Sequence, residues 1–290
     1  MKARKRGLLI LEIVAILLFI LVISPFILIV INSAKSSRDI LLNPLSLPQD
    51  WGVFIDNVVS IWNNPSINYR ESFISSVIIT VVSLLIITIV SSLAAWGLVR
   101  RKTKLSNAIF LMFVASMVIP FQVVMYPLIS WFRFLQENVT QPLFGFSLLR
   151  SYWGVFLAYA GFGMGMSVFM FHGFIKGVPV EIEEAAEIDG ANKLQTFVYV
   201  VLPLLKPITV TILILNGIWI WNDYLLPLLL LGVGNDIQTL PIAVANFAGS
   251  YTRQWDMILT SSLMVIAPVI IIFLFAQKQI MRGMVEGAIK

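Results

Sequence analysis

Between residues 178 and 207 the chain reads Val-Pro-Val-Glu-Ile-Glu-Glu-Ala-Ala-Glu-Ile-Asp-Gly-Ala-Asn-Lys-Leu-Gln-Thr-Phe-Val-Tyr-Val-Val-Leu-Pro-Leu-Leu-Lys-Pro, the longest polar interruption of its second half. Residue types and spacing here suit recognition of a partner. Glu181, Glu183 and Glu184 crowd the start of a helix expected over residues 181–189, where the aligned backbone dipoles favour carboxylates. Pro179 suits a first helical turn, since the N–H it lacks would have no partner there. Ile182, Ala185 and Ala186 fall on one face at i, i+3, i+4 spacing and are small enough for another surface to come close. Gly190, directly after Asp189, stands where a helix closes in a left-handed cap. Pro203 and Pro207 restart the chain as the next apolar run begins.

Other chemistry is scarce. The sequence has no Gly-x-x-x-x-Gly-Lys-Ser/Thr loop to cradle nucleotide phosphates, no paired-histidine zinc helix and no Gly-x-Ser-x-Gly nucleophile turn. Cysteine is absent, which excludes disulfides, thiolate metal sites and cysteine nucleophiles, and His172 is the single histidine. One acid, Asp223, falls deep inside an apolar run, where a charge costs roughly 2.5–3.5 kcal/mol on insertion scales and so should face protein or a wet cavity. Asn216, Trp219, Asp223 and Pro227 recur at helical spacing as an aromatic and polar stripe that would suit a solute path, and Gln122, Asn216, Trp219, Asn222 and Asp223 are the candidate translocation residues. The alternative role for Asp223 is a structural hydrogen bond holding a bend near Pro227.

The elements that must position these residues are membrane spans. Apolar residues make up 59% of the 290 and charged residues 12%, against roughly 45–50% and about 25% in soluble domains. Runs long enough to cross a bilayer, which takes about 20 residues, are expected near residues 7–31, 72–98, 108–131, 152–171, 208–231 and 257–276. The first follows a basic start but is too long for a cleaved signal peptide, so it reads as an uncleaved span. Residues 32–70 form an external loop with Trp51 and Trp62, partly ordered at the membrane surface. Gly161, Gly163 and Gly165 give the fourth span a small-residue face; close helix packing is their better reading and a mobile joint the lesser one. The whole is an all-α polytopic membrane protein forming one transmembrane domain, with no separate soluble domain.

Charge sets its orientation. Six crossings put both termini on one side, together with Arg100, Arg101, Lys102, Lys104, Lys176, Lys193, Lys206 and the terminal Lys and Arg residues. Only Lys35, Arg38, Arg70, Arg133, Arg150 and Arg253 fall opposite. The positive-inside rule then makes the termini cytoplasmic, and the acidic helix with them. The net charge of +5 is accounted for by this arrangement around membrane lipid, with no nucleic-acid partner needed.

Glu184-Ala185-Ala186, Gly190, Val200, Leu202 and Pro203 resemble the Glu-Ala-Ala signature of ABC importer permeases, departing only in Val200 where the family usually has Ile. Met117–Pro127, Trp219–Pro227, Thr239-Leu240-Pro241 and the ending with Arg282-Gly283 and Glu286-Gly287-Ala288 are similar to the carbohydrate-type branch, above all to the smaller six-span subunit of maltose-type importers. The resemblance implies a type I permease fold in which the acidic helix is a coupling helix docking on an ATPase, with Glu184, Ala185, Ala186, Asp189, Gly190, Leu202 and Pro203 as the coupling residues. It also implies a second permease in a heterodimer, a cytoplasmic ATPase dimer holding ATP and Mg in place of any cofactor in this chain, and an external substrate-binding protein. The implied function is import of a sugar, oligosaccharide or glycerol phosphate by a non-enzymatic subunit of the plasma or inner membrane. The rival readings are an ABC permease for amino acids, peptides or polyamines, and an ion-coupled secondary carrier.

Overall fold

A computed structural model describes residues 2–65, 67–248 and 254–288. Arg253 and Lys290 lie outside the described residues. The chain is helical throughout, with no strand among the described residues, and its contacts divide it into two compact units, Met1–Arg70 with Ala243–Pro268 and Glu71–Ile242 with Val269–Lys290.

In the first unit, α1 (Lys2–Ser33) is an apolar rod whose Leu8–Ser33 stretch has none of its most apolar window buried inside the chain. A helix apolar on every side belongs in hydrocarbon. Its C-terminal end is closed by side chains. Lys35 is buried, donating from Nζ to Asn32 Oδ1 and Asn43 O, both at 3.0 Å; a cation at a helix C-terminus complements the dipole. The Ser33 carbonyl, an orphan acceptor of the last turn, takes bonds from Asn57 Nδ2 at 3.1 Å and Thr260 Oγ1 at 3.0 Å. Short α2 (Ser37–Leu42) and amphipathic α3 (Gly52–Trp62) follow. Asn57 and Ile61 of α3 face inward, while Trp51, Ile55, Val59 and Trp62 stay exposed. Asn57 thus pins α3 to the end of α1.

The second unit holds most of the spans. They are α4 (Tyr69–Arg100), α5 (Lys104–Ser116), α6 (Phe121–Leu135), a π-helical turn at Gln136–Thr140 running into α7 (Gln141–Phe144), and α8 (Tyr152–Ile175). Then come α9 (Val180–Ile188), α10 (Lys193–Thr196), a second π-helical turn at Phe197–Val201, α11 (Leu202–Leu204), α12 (Lys206–Asn222) and α13 (Leu225–Leu231). Last are α14 (Leu240–Ala248) and α15 (Trp255–Ala288), both of which pass from one unit to the other.

Among these spans α8 is central. Val155, Phe156 and Tyr159 at one end pack with Ile79 and Ile87 of α4, Ile220 of α12 and Leu226 and Leu230 of α13. Val168, Phe171 and Ile175 at the other pack with Ala95 of α4, Phe197, Val201, Leu205 and Ile212. Between them the small face does its work at Gly163 and Gly165. A Cβ on Gly163 would sit 2.5 Å from Ile87 Cδ1 and 3.0 Å from Asn216 Oδ1; one on Gly165 would sit 2.8 Å from Ser116 Oγ. Gly161 has nothing within 4 Å. Lipid is as apolar as leucine, so helices in a bilayer associate through such close packing and through interhelical hydrogen bonds.

Four helices are long and apolar enough to cross a membrane, and two bent pairs raise that to six if each pair is one span. Two of the runs expected to span contain a break in the helix. The run at 108–131 is broken: Lys104–Ser116 and Phe121–Phe144 meet at 109°. Pro120 has no N–H to continue the helix and holds Ile119 out of the helical region; its own φ of −64° and ψ of 138° are extended. The run at 208–231 is broken at Asp223, with φ −75° and ψ 126°. A third bend, 76°, separates Lys193–Leu204 from Lys206–Asn222, where Pro203 and Pro207 remove two helical donors.

Candidate coupling site and translocation residues

The acidic helix α9 starts at Val180, so Pro179 stands just before its first turn, extended at ψ 134°. Its exit is a Schellman closure. Ala191 N–H bonds Ala186 O at 3.0 Å, Gly190 N–H bonds Glu187 O at 3.1 Å, and Gly190 adopts φ +88°. Only glycine takes that left-handed conformation without strain. The next turn, α10, opens with a reciprocal capping box between Asn192 and Gln195, at 3.0 and 2.8 Å. The exit of α9 is thereby closed by backbone bonds and the start of α10 by side chains, and the motif residues Leu202 and Pro203 sit in α11 at the 76° bend.

One face of α9 is open. Glu181, Ile182, Glu184, Ala185, Glu187, Ile188, Asp189 and Gly190 are exposed, Ile188 to 86%, and Ala186 is half-buried. Glu183 is the exception among the acids, 6% exposed and bonded to the end of α4. Arg100 donates to Glu183 Oε1 from Nε at 3.0 Å and from Nη2 at 2.6 Å, and Trp96 Nε1 donates to Oε2 at 2.9 Å. The sequence reading did not separate Glu183 from its neighbours. Nothing in local spacing could, because its partners lie 83 and 87 residues away.

The candidate translocation residues do not form one helical stripe, because the helix ends at Asn222. Asp223 sits in the break, half-buried, and its Oδ1 accepts the Leu225 N–H at 3.0 Å. It thereby serves the unpaired donors at the start of α13, as an Asp beside a helix start does. The bend is at Asp223 and not at Pro227, which is buried within α13. Its other oxygen, Oδ2, accepts from Tyr159 Oη at 3.2 Å. Tyr159 in turn stands edge-on to Trp219, ring centroids 5.4 Å apart at 87°, and Trp219 is 40% exposed. So the structure brings Trp219 and Asp223 together through Tyr159, which the sequence reading missed; its position four residues before Gly163 on a glycine-rich span was the available signal. Asn216 is 1% exposed and donates to Ser167 Oγ of α8 at 3.1 Å. Asn222 is exposed and bonds Ile218 O of its own helix at 2.7 Å. Gln122 is exposed near the start of α6 and takes no part in these bonds. No group of His, Cys, Asp and Glu among the described residues could hold a metal ion.

Residues 87–286 match the family described as the inner membrane component of binding-protein-dependent transport systems. The chain belongs to this family. Among relatives of the inner membrane component, the probable starch degradation products transport system permease protein AmyC of Thermoanaerobacterium thermosulfurigenes is 40% identical over 95% of this chain and 94% of its own length. The melibiose/raffinose/stachyose import permease protein MelC of Bacillus subtilis is 34% identical over 92% of this chain and 91% of its own. A crystal structure of a bacterial ABC transporter involved in import of the acidic polysaccharide alginate superposes with a TM-score of 0.75 at 20% identity, covering 95% of this chain and 96% of that one. The fold is therefore that of an ABC importer permease, and this inner membrane component is a multi-pass transport subunit, not an enzyme.

Proposed function

We propose that the chain is one of two homologous permease subunits in an ATP-driven importer that moves a sugar or oligosaccharide delivered by an external binding protein. The observation that carries the reading is α9. It is an acidic helix capped at its exit by Gly190, with Glu184 and Ala185 exposed beside it, in a sequence without a Gly-x-x-x-x-Gly-Lys-Ser/Thr loop. ATP and Mg then belong to a cytoplasmic ATPase dimer, and the termini share its side of the membrane, as the distribution of Lys and Arg supports. Closure of the ATPase pair moves α9 and biases the spans between inward- and outward-facing states, and it can do so only through contacts that differ between the two. The carbohydrate class rests on the relatives, whose names refer to starch degradation products and to melibiose, raffinose and stachyose.

Along the solute path we assign the exposed ring of Trp219 to solute contact, with Tyr159 holding it and Asp223 holding Tyr159. Gln122 and Asn222, both exposed and polar, are secondary contacts. The test is uptake of labelled raffinose and of maltodextrin into proteoliposomes carrying the purified complex with its binding protein. ATP-dependent accumulation that is indifferent to uncouplers supports the reading. Accumulation without ATP, driven by an ion gradient, would overturn it.

A further inference from the structure

Among the acids of α9, the one that is buried is also the one tied to another span. Glu181, Glu184 and Glu187 point outward, whereas Glu183 is 6% exposed. A buried carboxylate is costly unless fully bonded, and this one takes three bonds from the last turn of α4: Arg100 Nε at 3.0 Å and Nη2 at 2.6 Å to Oε1, and Trp96 Nε1 at 2.9 Å to Oε2. The same Arg100 Nη2 reaches back to Val178 O at 3.1 Å, on the chain entering α9. The Trp96 ring packs on Phe197, centroids 5.2 Å apart, on the chain beyond α9. One helix end thus grips the entrance to α9, α9 itself and the segment that leaves it. Such a pair is not needed for stability, since well-packed apolar groups in its place would often be as stable. What a guanidinium fork on a carboxylate supplies is a single fixed geometry.

We propose that Glu183 is a positioning residue through which displacement of α9 is carried to α4, a span that is not its neighbour along the chain. The proposal rests on the permease reading above. Along the chain, movement of α9 reaches the spans through its connections to α8 and α12. With the clamp, α4 is pulled as a third rod. Recognition of the ATPase and transmission into the membrane are then separate tasks on one helix: the exposed Glu184 and Ala185 face the ATPase, and the buried Glu183 faces α4.

The experiment uses the full complex in proteoliposomes and measures solute moved per ATP hydrolysed, alongside the amount of ATPase that co-purifies. Glu183→Gln keeps the shape of the side chain, removes the charge that Arg100 holds and turns one of the two acceptor oxygens into a donor, so the Arg100 or the Trp96 bond is lost with it. It should retain the ATPase and its turnover while solute moved per ATP falls about 5- to 150-fold, the span of typical coupling between two sites. Trp96→Phe keeps the ring packing on Phe197 and removes one donor, so the same ratio should fall less. If Glu183→Gln does not assemble, Trp96→Phe decides on the same ratio. An unchanged ratio in the assembling variant, with uptake and ATP turnover either both at wild-type level or both falling in step with the folded complex, overturns the clamp. Absence of ATP-driven uptake by the wild-type complex overturns the permease reading and the clamp together, so the two failures are distinct.

Discussion

Tyr159 on α8 donates its hydroxyl to Asp223 Oδ2 at 3.2 Å, while the other oxygen of Asp223 accepts the Leu225 N–H at 3.0 Å. The single acid of the broken span therefore spends both oxygens on structure. Asparagine could keep both contacts, its carbonyl capping Leu225 as a carboxylate does and its amide NH2 donating to the Tyr159 hydroxyl, which then accepts. Asp223→Asn should leave uptake per folded molecule within about twofold, a change worth under ~0.5 kcal/mol. Asp223→Ala loses the cap and should destabilise the complex by about 1 kcal/mol. Thermal unfolding and uptake measured on the same preparations check this pair. A transport-dead but stable Asp223→Asn would return the charge to the solute path.

Trp219 leaves 40% of its surface open beside that pair. Trp219→Ala should lower uptake about tenfold, equivalent to ~1.4 kcal/mol, with assembly and ATP turnover retained. Trp219→Phe should recover most of it. Uptake at the wild-type level in Trp219→Ala would remove the ring from the path.

Much of this was legible in the sequence because hydropathy is a property of composition, and composition does not depend on where the chain goes. The apolar runs were readable in this way, and the acidic helix and the cap at Gly190 were readable from local residue types and spacing. The breaks were not, although their signals were present. Pro120 forbids a straight helix through Ile119, and Asn222-Asp223 is a turn-forming pair, but apolar residues continue on both sides of each and conceal the stop. Glu183 is a different case. Its burial is decided by Arg100, which only the fold brings to it, so no local pattern distinguishes it from Glu181 or Glu184.

Gly190 at φ +88° makes a sharp prediction. Gly190→Leu opposes the left-handed turn by roughly 1 kcal/mol or more and puts bulk on the exposed end of α9. Membrane insertion should be normal, with loss of ATPase assembly or of transport. Wild-type uptake together with normal ATPase co-purification would sink the assignment of α9 as the coupling helix.

The glycine face of α8 separates two neighbours. Gly163→Val places atoms where Ile87 Cδ1 would lie 2.5 Å from the new Cβ, so overpacking should cost about 1–3 kcal/mol. Gly161→Ala meets nothing within 4 Å and should leave the melting temperature at or slightly above wild type. Equal effects at the two positions would mean the face is not a packing surface.

Orientation can be read with single cysteines, since the chain has none of its own. Ser46 and Lys102 are both exposed, whereas Ser106 is buried at the start of α5 and is a poor reporter. Ser46→Cys should react with an impermeant thiol reagent added to intact cells, and Lys102→Cys only after permeabilisation. The opposite pattern would reverse the membrane orientation and leave α9 on the wrong side for an ATPase.

The central claim is that α9 is the contact through which an ATPase drives this permease, and Ala185 tests it most directly. Ala185 is exposed on α9, so a single cysteine there should join to the co-purified ATPase with a short bifunctional thiol–amine reagent. The resulting species should retain ATP binding and lose transport. A cysteine at 185 that never joins the ATPase in an assembled, transporting complex, or that reacts with impermeant reagent outside intact cells, would contradict the account.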